Sequence, residues 1–451
     1  MKISTLNASE LLGNIKRIDA NYHLSPGVSA ERILSTSPYQ QKELKACCDR
    51  IFNGNRYKRV YVRDDRRGFV LLGISDVLKG DQSGTKCISK KFTRNFESLL
   101  VHEGWILVAR SGSGAIGTAV YATEDFENKV ISEDLLRIVP NKEIKSGFVY
   151  AFLASTYGYN LLQKGIYGTA IPHIEPEYVD RIKVPIFPKK LQTEIHDLIQ
   201  KASTRRVESN SLLKDAHKIV LEHVRFRSSQ KRYSVNLSTL ISSHQSRFEA
   251  HYYLSDGYLV NEHVKKGRFT YLKDLTKSIF RPGIFKRHYV QDGIDFLGGS
   301  DIVKRIPKSD KKLSLTKTRH LKSLVVEEDW ILITCGGSIG SSVLVNSFLD
   351  GKAASQHILR VVPDRLPTGY LFAYLSSPIG LKSIQSFSYG SVIPQIENHH
   401  LERLPVPLLD DEVIQKIDSL VMEYKKGIGD SINFELQAIL LVEKEIRSWQ
   451  K

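Results

Sequence analysis

The chain has 451 residues, more than one hydrophobic core usually supports, so its length predicts two or three domains. Its 65 Lys and Arg residues against 49 Asp and Glu residues give a formal net charge of +16, which favours a polyanionic partner such as nucleic acid, although a merely soluble basic surface has the same balance. The four cysteines (Cys47, Cys48, Cys87 and Cys335) form neither a CxxC pair nor a Cys/His cluster at zinc spacing, which argues against a disulfide framework or a metal site.

The start of the sequence, MKISTLNASELLGNIKRID, lacks the apolar core of a signal peptide. No segment approaches the roughly 18 uninterrupted apolar residues of a membrane-spanning helix. These features predict a cytoplasmic protein.

The second half of the chain repeats the first half in order. Matching strings include RIDANYHLS and RFEAHYYLS (17–25 and 247–255), GWILVARSGSGAIG and DWILITCGGSIG (104–117 and 329–340), LLRIVP and ILRVVP (135–140 and 358–363), and YGTAIPHIEPEYVDRIKVPIFP and YGSVIPQIENHHLERLPVPLL (167–188 and 389–409). The paired strings lie 222 to 230 positions apart, which is too long for a solenoid repeat. Each copy is therefore expected to be a domain with its own core.

Each copy alternates between short and long apolar segments. The short runs WILVA (105–109) and WILIT (330–334) predict strands, because they are apolar, partly β-branched and close to Gly and Ser. The longer segments 147–163 and 369–385 have apolar residues at helical spacing and predict a helix packed on that sheet. We expect two tandem α+β domains, each a twisted β-sheet with packed helices.

A long amphipathic segment follows each copy, at 191–226 and 411–449. A continuous helix of about 36 residues would span on the order of 50 Å. Because one domain cannot cover so long an apolar stripe, we expect the two helices to pair as an antiparallel coiled coil. Packing of each helix on its own domain is the alternative, and KKGIGD (425–430) predicts a break in the second helix.

The sequence Gly112, Gly114, Gly117 spells GxGxxG directly after a predicted strand. A dinucleotide site requires a helix to begin at that turn, but TAVYATEDF predicts a further strand, so a tight hairpin is expected. The sequence also contains no methyltransferase tetrapeptide of the NPPF or DPPY type, no Walker loop and no PD...ExK nuclease cluster. We therefore expect no catalytic residue, no metal site and no cofactor in this chain.

Basic residues interleaved with tyrosines are typical of nucleic-acid contact, since Lys and Arg neutralise phosphates and Arg can also recognise base edges. In the first copy the candidates are Arg56, Lys58, Arg59, Arg63, Arg66, Arg67, Lys90, Lys91, Arg94 and Arg110. In the second copy they are Arg281, Lys286, Arg287, His288, Lys304, Arg305, Lys308, Lys311, Lys312, Lys317 and Arg319. A solvated basic surface is the alternative. His173 and Gln395, in the IPxI turns, are further candidates, with a purely structural turn as their alternative.

The two copies differ where they are expected to bind. Segment 43–67 has no recognisable sequence counterpart in 258–289, whereas the framework strings repeat. If both surfaces recognise bases, the target is two unlike half-sites separated by a gap that the helices set.

This organisation resembles the specificity (S) subunits of type I restriction-modification systems. The resemblance covers nearly the whole chain and depends on the duplication, the YG…IPxI…VP strings and the long helices. It implies target recognition domains at 1–188 and 233–410, with helical spacers at 189–232 and 411–451. The base-contacting residues vary among members and cannot be transferred.

In that family, each domain binds one half of an asymmetric bipartite DNA site. Two methyltransferase (M) subunits, which hold S-adenosylmethionine and methylate adenine, dock on the helices. ATP- and Mg-dependent endonuclease/translocase (R) subunits join them. The alternatives are the specificity subunit of a type IIB or other methylation-based defence complex, a free-standing DNA-binding regulator and, third, an autonomous enzyme.

Overall fold

The computed structural model describes residues 23–63, 66–81, 86–93, 96–112, 114–168, 172–227, 234–242, 247–390, 392 and 394–450. The first copy contains, in chain order, α1 (Pro26–Ser35), β1 (Gln41–Glu43), a 3-10 helix (Leu44–Cys47), β2 (Cys48–Asn53), β3 (Tyr61–Val62), β4 (Gly68–Leu72), α2 (Ile74–Val77), β5 (Cys87–Ser89), a 3-10 helix (Phe96–Leu99), β6 (Ile106–Ala109), β7 (Ala119–Tyr121), a 3-10 helix (Glu124–Phe126), β8 (Val130–Ile131), β9 (Leu135–Pro140), α3 (Ser146–Ala154), α4 (Thr156–Lys164), α5 (Pro176–Asp180) and β10 (Lys183–Pro185). The first long helix, α6 (Lys189–Val224), follows.

The second copy contains α7 (Leu237–Ser242), α8 (Ala250–Tyr253), α9 (Asp256–Val264), β11 (Phe269–Tyr271), a 3-10 helix (Leu272–Leu275), β12 (Thr276–Phe280), β13 (Tyr289–Val290), β14 (Ile294–Leu297), β15 (Lys312–Leu313), α10 (Leu321–Leu324), β16 (Ile331–Thr334), β17 (Ser342–Leu344), β18 (Ala353–Ala354), β19 (Ile358–Pro363), α11 (Thr368–Ser376), α12 (Pro378–Ser386), α13 (Asn398–Glu402) and β20 (Pro405–Pro407). The second long helix is α14 (Asp411–Ser448).

The strand orders of the two copies are the same. The larger sheet is antiparallel, with order β2-β9-β6-β7 in the first copy and β12-β19-β16-β17 in the second. The smaller sheet has order β3-β5-β4-β8 or β13-β15-β14-β18 and includes one parallel pair, β4–β8 or β14–β18. A two-stranded sheet, β1-β10 or β11-β20, completes each copy. The predicted pair of tandem α+β domains is confirmed. Although segments 43–67 and 258–289 have dissimilar sequences, the strands β2 and β3 of the first are equivalent to β12 and β13 in the second copy.

A buried arginine joins the two sheets of each copy. Arg137 of β9 donates to the carbonyl oxygens of residues 131, 132 and 135, and Arg360 of β19 donates to those of residues 324, 354, 355 and 358. Burial lowers the pKa of Arg137 to about 10 and that of Arg360 to about 9, so both stay protonated at neutral pH. The Arg of the repeated LRxVP string is thus a structural residue that holds β8 or β18 against the larger sheet.

The helix predicted after β9 is in fact two helices in each copy. Ser155, between α3 and α4, has extended backbone angles, and its hydroxyl accepts from the N–H of Gly158 at 3.2 Å. Ser377 makes the same N-cap with the N–H of Gly380 at 3.1 Å. The prediction of one continuous helix was wrong, because a serine N-cap starts a new helix at this point.

The described residues divide into two compact units. Unit 1 contains the described residues up to Val207 together with those from Asp430 onward, and unit 2 runs from Glu208 to Gly429. Each unit therefore contains one copy, half of α6 and half of α14. The limits predicted for the recognition domains and spacers stay a prediction.

The two long helices pack together within each unit. In unit 1 the first half of α6 and the second half of α14 share a core with the first domain, to which they contribute Ile195, Ile199, Ala438, Ile439, Val442 and Ile446. In unit 2 the other halves share a core with the second domain, to which they contribute Ala216, Val220, Val224, Ile414, Ile417 and Val421. The predicted antiparallel pairing is confirmed, and each helix also packs on the domain that precedes it.

Helix α14 is continuous from Asp411 to Ser448, so the break predicted at 425–430 does not occur. Gly429 instead has a packing role in unit 2. A Cβ at this position would lie only 3.1 Å from Oγ of Ser347. The glycine lowers helix propensity but permits this close approach, and tertiary packing offsets the loss.

Candidate nucleic-acid interface

The glycine motif forms a hairpin, as predicted. Strands β6 and β7 pair antiparallel on either side of it, and no helix begins among the described residues 110–112 and 114–118. Gly112 and Gly117 have φ of 94° and 82°, which favour glycine. In the second copy Gly337 and Gly340 have φ of 71° and 88° in the same hairpin. A helix N-terminus that could hold a pyrophosphate is therefore not formed here.

The basic candidates of the first copy lie around its smaller sheet. The N–H of Ser89 donates to the carbonyl of Val60, and the N–H of Lys90 to that of Arg67, so the segments on either side of β3 meet β5. The exposed candidates are Arg56, Lys58, Arg63, Arg66, Arg67, Lys90 and Lys91. Arg59 is half-buried and forms an ion pair with Glu133 at 2.6 Å. Arg94 lies outside the described residues.

The second copy places its candidates around the equivalent sheet. The N–H of Ser314 donates to the carbonyl of His288, which joins the segment before β13 to β15. The exposed candidates are Lys286, Lys308, Lys311, Lys317 and Arg319. The half-buried candidates are Arg281, Arg287, His288, Lys304 and Lys312. Arg305 is buried, with 6% of its surface exposed, and Lys304 pairs with Asp301 at 2.6 Å.

A cluster of four polar side chains borders the glycine hairpin of the first copy. Glu175 accepts hydrogen bonds from Arg110 at 2.5 Å and from the Tyr167 hydroxyl at 2.7 Å, and it lies 3.3 Å from Nε2 of His173. Tyr167 and His173 also exchange two main-chain hydrogen bonds, which hold these two residues side by side. Burial opposes ionisation of Glu175, but hydrogen bonds from Tyr167 and Arg110 outweigh it and lower its pKa. The hydrogen bond to Glu175 in turn raises the pKa of Tyr167.

The second copy has a corresponding cluster. The Tyr389 hydroxyl donates to Glu397 at 3.1 Å, Glu397 forms an ion pair with Arg281, and Nε of Arg281 donates to the Gln356 carbonyl at 2.8 Å. Two main-chain hydrogen bonds likewise join Tyr389 to Gln395. Burial and the charge of Glu397 raise the pKa of Tyr389. His173 and Gln395 thus have equivalent positions, as their place in the IPxI turns predicted.

The chemistry beside these clusters differs between the copies. The strings SEDLLRIVP and SQHILRVVP align Glu133 and Asp134 with Gln356 and His357. Glu133 pairs with Arg59, whereas the pKa of His357 is lowered by burial and by the charges of Arg281 and Arg287. Two carboxylates in one copy are thus replaced by two uncharged side chains in the other.

The tyrosine and glutamate of each cluster were missed by the sequence reasoning. The signal was present, since YGTAIPHIE and YGSVIPQIE both place a glutamate eight positions after the tyrosine. The repetition was interpreted as framework because sequence alone does not show that the two side chains meet.

The cysteines and the possible metal ligands were the remaining groups that could carry chemistry. All four cysteines are buried, and none of them forms a disulfide. Across the part of the chain that the structure describes, no group of three His, Cys, Asp or Glu side chains could hold a metal ion. No helix in that part is both long and apolar enough to cross a membrane.

The fold and these two unlike surfaces define a protein with duplicated, non-identical recognition domains. Residues 49–215 and 263–425, well over half of the chain, match the family model described as type I restriction modification DNA specificity domain. The chain therefore belongs to the specificity-subunit family of type I restriction-modification systems, and the resemblance drawn from the sequence is confirmed. No curated protein sequence matches the chain.

Solved structures similar to the chain include an S subunit of a type I restriction-modification system from M. genitalium, with 13% identity, coverage of 91% of this chain and 96% of that chain, and a TM-score of 0.37. The HsdS subunit from Thermoanaerobacter tengcongensis has 13% identity, coverage of 91% and 97%, and a TM-score of 0.28. A structure from a study of complex assembly and conformational transition of the type I R-M system has 14% identity, coverage of 92% and 97%, and a TM-score of 0.29. The family assignment depends on the sequence match alone.

Proposed function

We propose that the chain is the non-catalytic DNA-recognition subunit of a type I restriction-modification complex, in which each domain binds one half of an asymmetric bipartite target. The observation that supports this is that the two copies share one sheet framework but have side chains of different charge at equivalent positions. Glu133 and Asp134 in one copy correspond to Gln356 and His357 in the other. Such domains would bind different base sequences in the same orientation relative to their own helices.

The DNA-contacting surface in this proposal is the smaller sheet of each copy with its connecting segments. The exposed basic side chains there, such as Arg63 and Lys90 or Lys311 and Arg319, contact phosphates and position the duplex. Arg110, Arg281, His173 and Gln395 lie at the adjoining turns. The net charge of +16 increases the rate of encounter with DNA.

The paired helices set the gap between the half-sites and form the docking surface for partners. In unit 1 a groove of about 720 Å³ runs between them. Leu198, Leu440 and Leu441 contribute apolar surface to it, and Leu440 is 49% exposed. Charged residues border the groove at Lys190, Glu194, Asp197, Lys201 and Lys444. A partner helix with apolar residues and complementary charges would cover this surface.

The partners in this proposal are two methyltransferase subunits that methylate adenine and the endonuclease/translocase subunits that cleave unmodified DNA. S-adenosylmethionine, ATP and Mg belong to those partners. This chain contributes specificity by placing the partners on a chosen site. We expect the complex to work in the cytoplasm, where its DNA substrate is.

The test is co-expression with the methyltransferase encoded beside this chain, followed by single-molecule sequencing of host DNA to map methylated adenines. A bipartite asymmetric motif that depends on this chain is the expected result, and exchange of residues 1–188 with another member should change one half-site only. If no methylation depends on the chain but it binds one DNA sequence alone, it is a regulator. Co-purification with a fused methyltransferase-nuclease would indicate a type IIB assembly.

A further inference from the structure

The same tyrosine and glutamate recur in both domains, but their arginine partner comes from different strands. Arg110 follows β6 in the first copy, and Arg281 follows β12 in the second. The second copy has Cys335 where the first has Arg110, as the aligned strings WILVAR and WILITC show. The two copies thus place the guanidinium after different strands, whereas the glutamate that binds it has the same position in both copies.

The register of the larger sheets identifies the other exchanged position. Phe52 of β2 pairs with Arg137 of β9, and Phe280 of β12 pairs with Arg360 of β19. The residue after each phenylalanine is Asn53 in the first copy and Arg281 in the second. Each copy thus has one arginine in one of two alternative positions around its glutamate.

Each of the two arginines uses only part of its hydrogen-bonding capacity within the protein. Glu175 engages Nη2 of Arg110, and Glu397 engages Nη1 of Arg281. Within the described chain, Nη1 of Arg110 and Nη2 of Arg281 donate to no protein acceptor. An oriented guanidinium with a free N–H group is suited to a phosphate oxygen or a base edge.

The surface beside each cluster is open to a ligand. Tyr167 is 49% exposed and Tyr389 is 41% exposed. In the neighbouring hairpins, a Cβ built on Gly114 or on Gly336 would meet no atom within 4 Å. Among the described residues, no atom near these two glycines therefore obstructs the close approach of a large, rigid ligand.

We propose that Glu175 and Glu397 are positioning residues for DNA recognition, each of which orients an arginine and an exposed tyrosine toward the DNA backbone. Arg110 and Arg281 make the contact, and the glutamate fixes the direction of their free N–H groups. This inference rests on the proposed function. A partly exposed ion pair contributes little to stability, so retention of the cluster through the strand exchange favours a binding role.

The test moves the arginine within one domain. In the purified complex with the methyltransferase subunit, Arg110→Cys should weaken binding to the mapped DNA site by about tenfold or more. The double variant Arg110→Cys/Asn53→Arg, which imitates the second copy, should regain most of that affinity. Arg281→Asn and Arg281→Asn/Cys335→Arg form the reciprocal pair in the second domain.

Salt dependence separates a binding role from a structural one. Loss of a phosphate contact in Arg110→Cys should reduce the slope of log K against log salt by about 0.9. Glu175→Gln should weaken binding without reducing that slope, because the arginine keeps its charge. The melting temperature of each variant must match that of the parent. A change in affinity then does not result from unfolding.

Two outcomes would overturn the inference. One is unchanged affinity in Arg110→Cys and Arg281→Asn or in folded Glu175→Gln, and the other is no recovery in folded double variants. Both outcomes are measured in a parent complex that methylates a bipartite site. If the proposed function fails, the parent itself directs no methylation, so the two failures are distinguishable.

Discussion

Arg206 of α6 donates to Glu435 of α14 across 3.4 Å, and only 2% of each side chain is exposed. The Tyr150 hydroxyl of the first domain donates to the same carboxylate. A buried ion pair of this kind fixes the register of two helices, because a shifted pairing would leave a charge unpaired in an apolar core. In unit 1 the Arg206–Glu435 ion pair thus fixes the register of the two paired helices.

Loss of one partner of this pair should destabilise the protein strongly. We expect Glu435→Leu to lower the free energy of unfolding by about 3–5 kcal/mol, since Arg206 would remain buried without the Glu435 carboxylate that balances its charge. Arg206→Met/Glu435→Leu should recover a large part of this loss. Urea unfolding of the full chain followed by circular dichroism measures both. Simple additivity of the two single substitutions would show that the side chains are not energetically coupled.

His196 should make unit 1 sensitive to mild acid. Its Nδ1 accepts from the N–H of Gly147 at 3.1 Å, and burial together with the charge of Lys145 lowers its pKa from 6.5. As the pH falls below 6.5, the unfolded chain binds a proton before the folded chain does, so stability falls until the folded-state pKa is passed.

The second copy provides the control for this prediction. Asp418 has the equivalent role and accepts from the N–H of Gly369 at 2.7 Å. His196→Asp should therefore keep the hydrogen bond and remove the loss of stability below pH 6.5. The unfolding midpoint in urea, measured from pH 7.5 to 5, checks this. Identical pH profiles for parent and variant would contradict it.

The exposed lysines of the smaller sheets should contribute affinity without sequence preference. Lys90→Ala should weaken DNA binding equally for cognate and unrelated duplexes and reduce the salt slope by about 0.9, as expected for one lost phosphate contact. Lys183→Ala, at an exposed position on β10, is the matched control. A changed sequence preference in Lys90→Ala would instead indicate base recognition.

Leu440 should contribute to partner docking. Leu440→Glu puts a charge into the apolar groove between the helices, so we expect loss of co-purification with the methyltransferase subunit while DNA affinity of the chain is retained. Lys444→Ala, at the border of the same groove, should have a smaller effect. If Leu440→Glu still forms the complex at equal yield, the partner docks elsewhere.

Much of the architecture was determined by the sequence itself. The repeated strings WILVA and WILIT predicted matching strands in the two copies, because they are short, apolar and partly β-branched. The apolar stripes of α6 and α14 required a partner surface, which predicted their pairing. The glycine hairpin followed from the absence of any helical segment after Gly117.

Tertiary structure alone decided the rest. Helix α14 continues through Gly429 although glycine lowers helix propensity, and the close approach of Gly429 to Ser347 is a tertiary contact that the sequence alone does not show. The meeting of Glu175 with Arg110, and of Glu397 with Arg281, depends on which strand ends lie side by side. Sequence fixes a residue's neighbours along the chain, but the chemistry of a site depends on side chains far apart in sequence, which only the packed sheets bring within hydrogen-bonding distance.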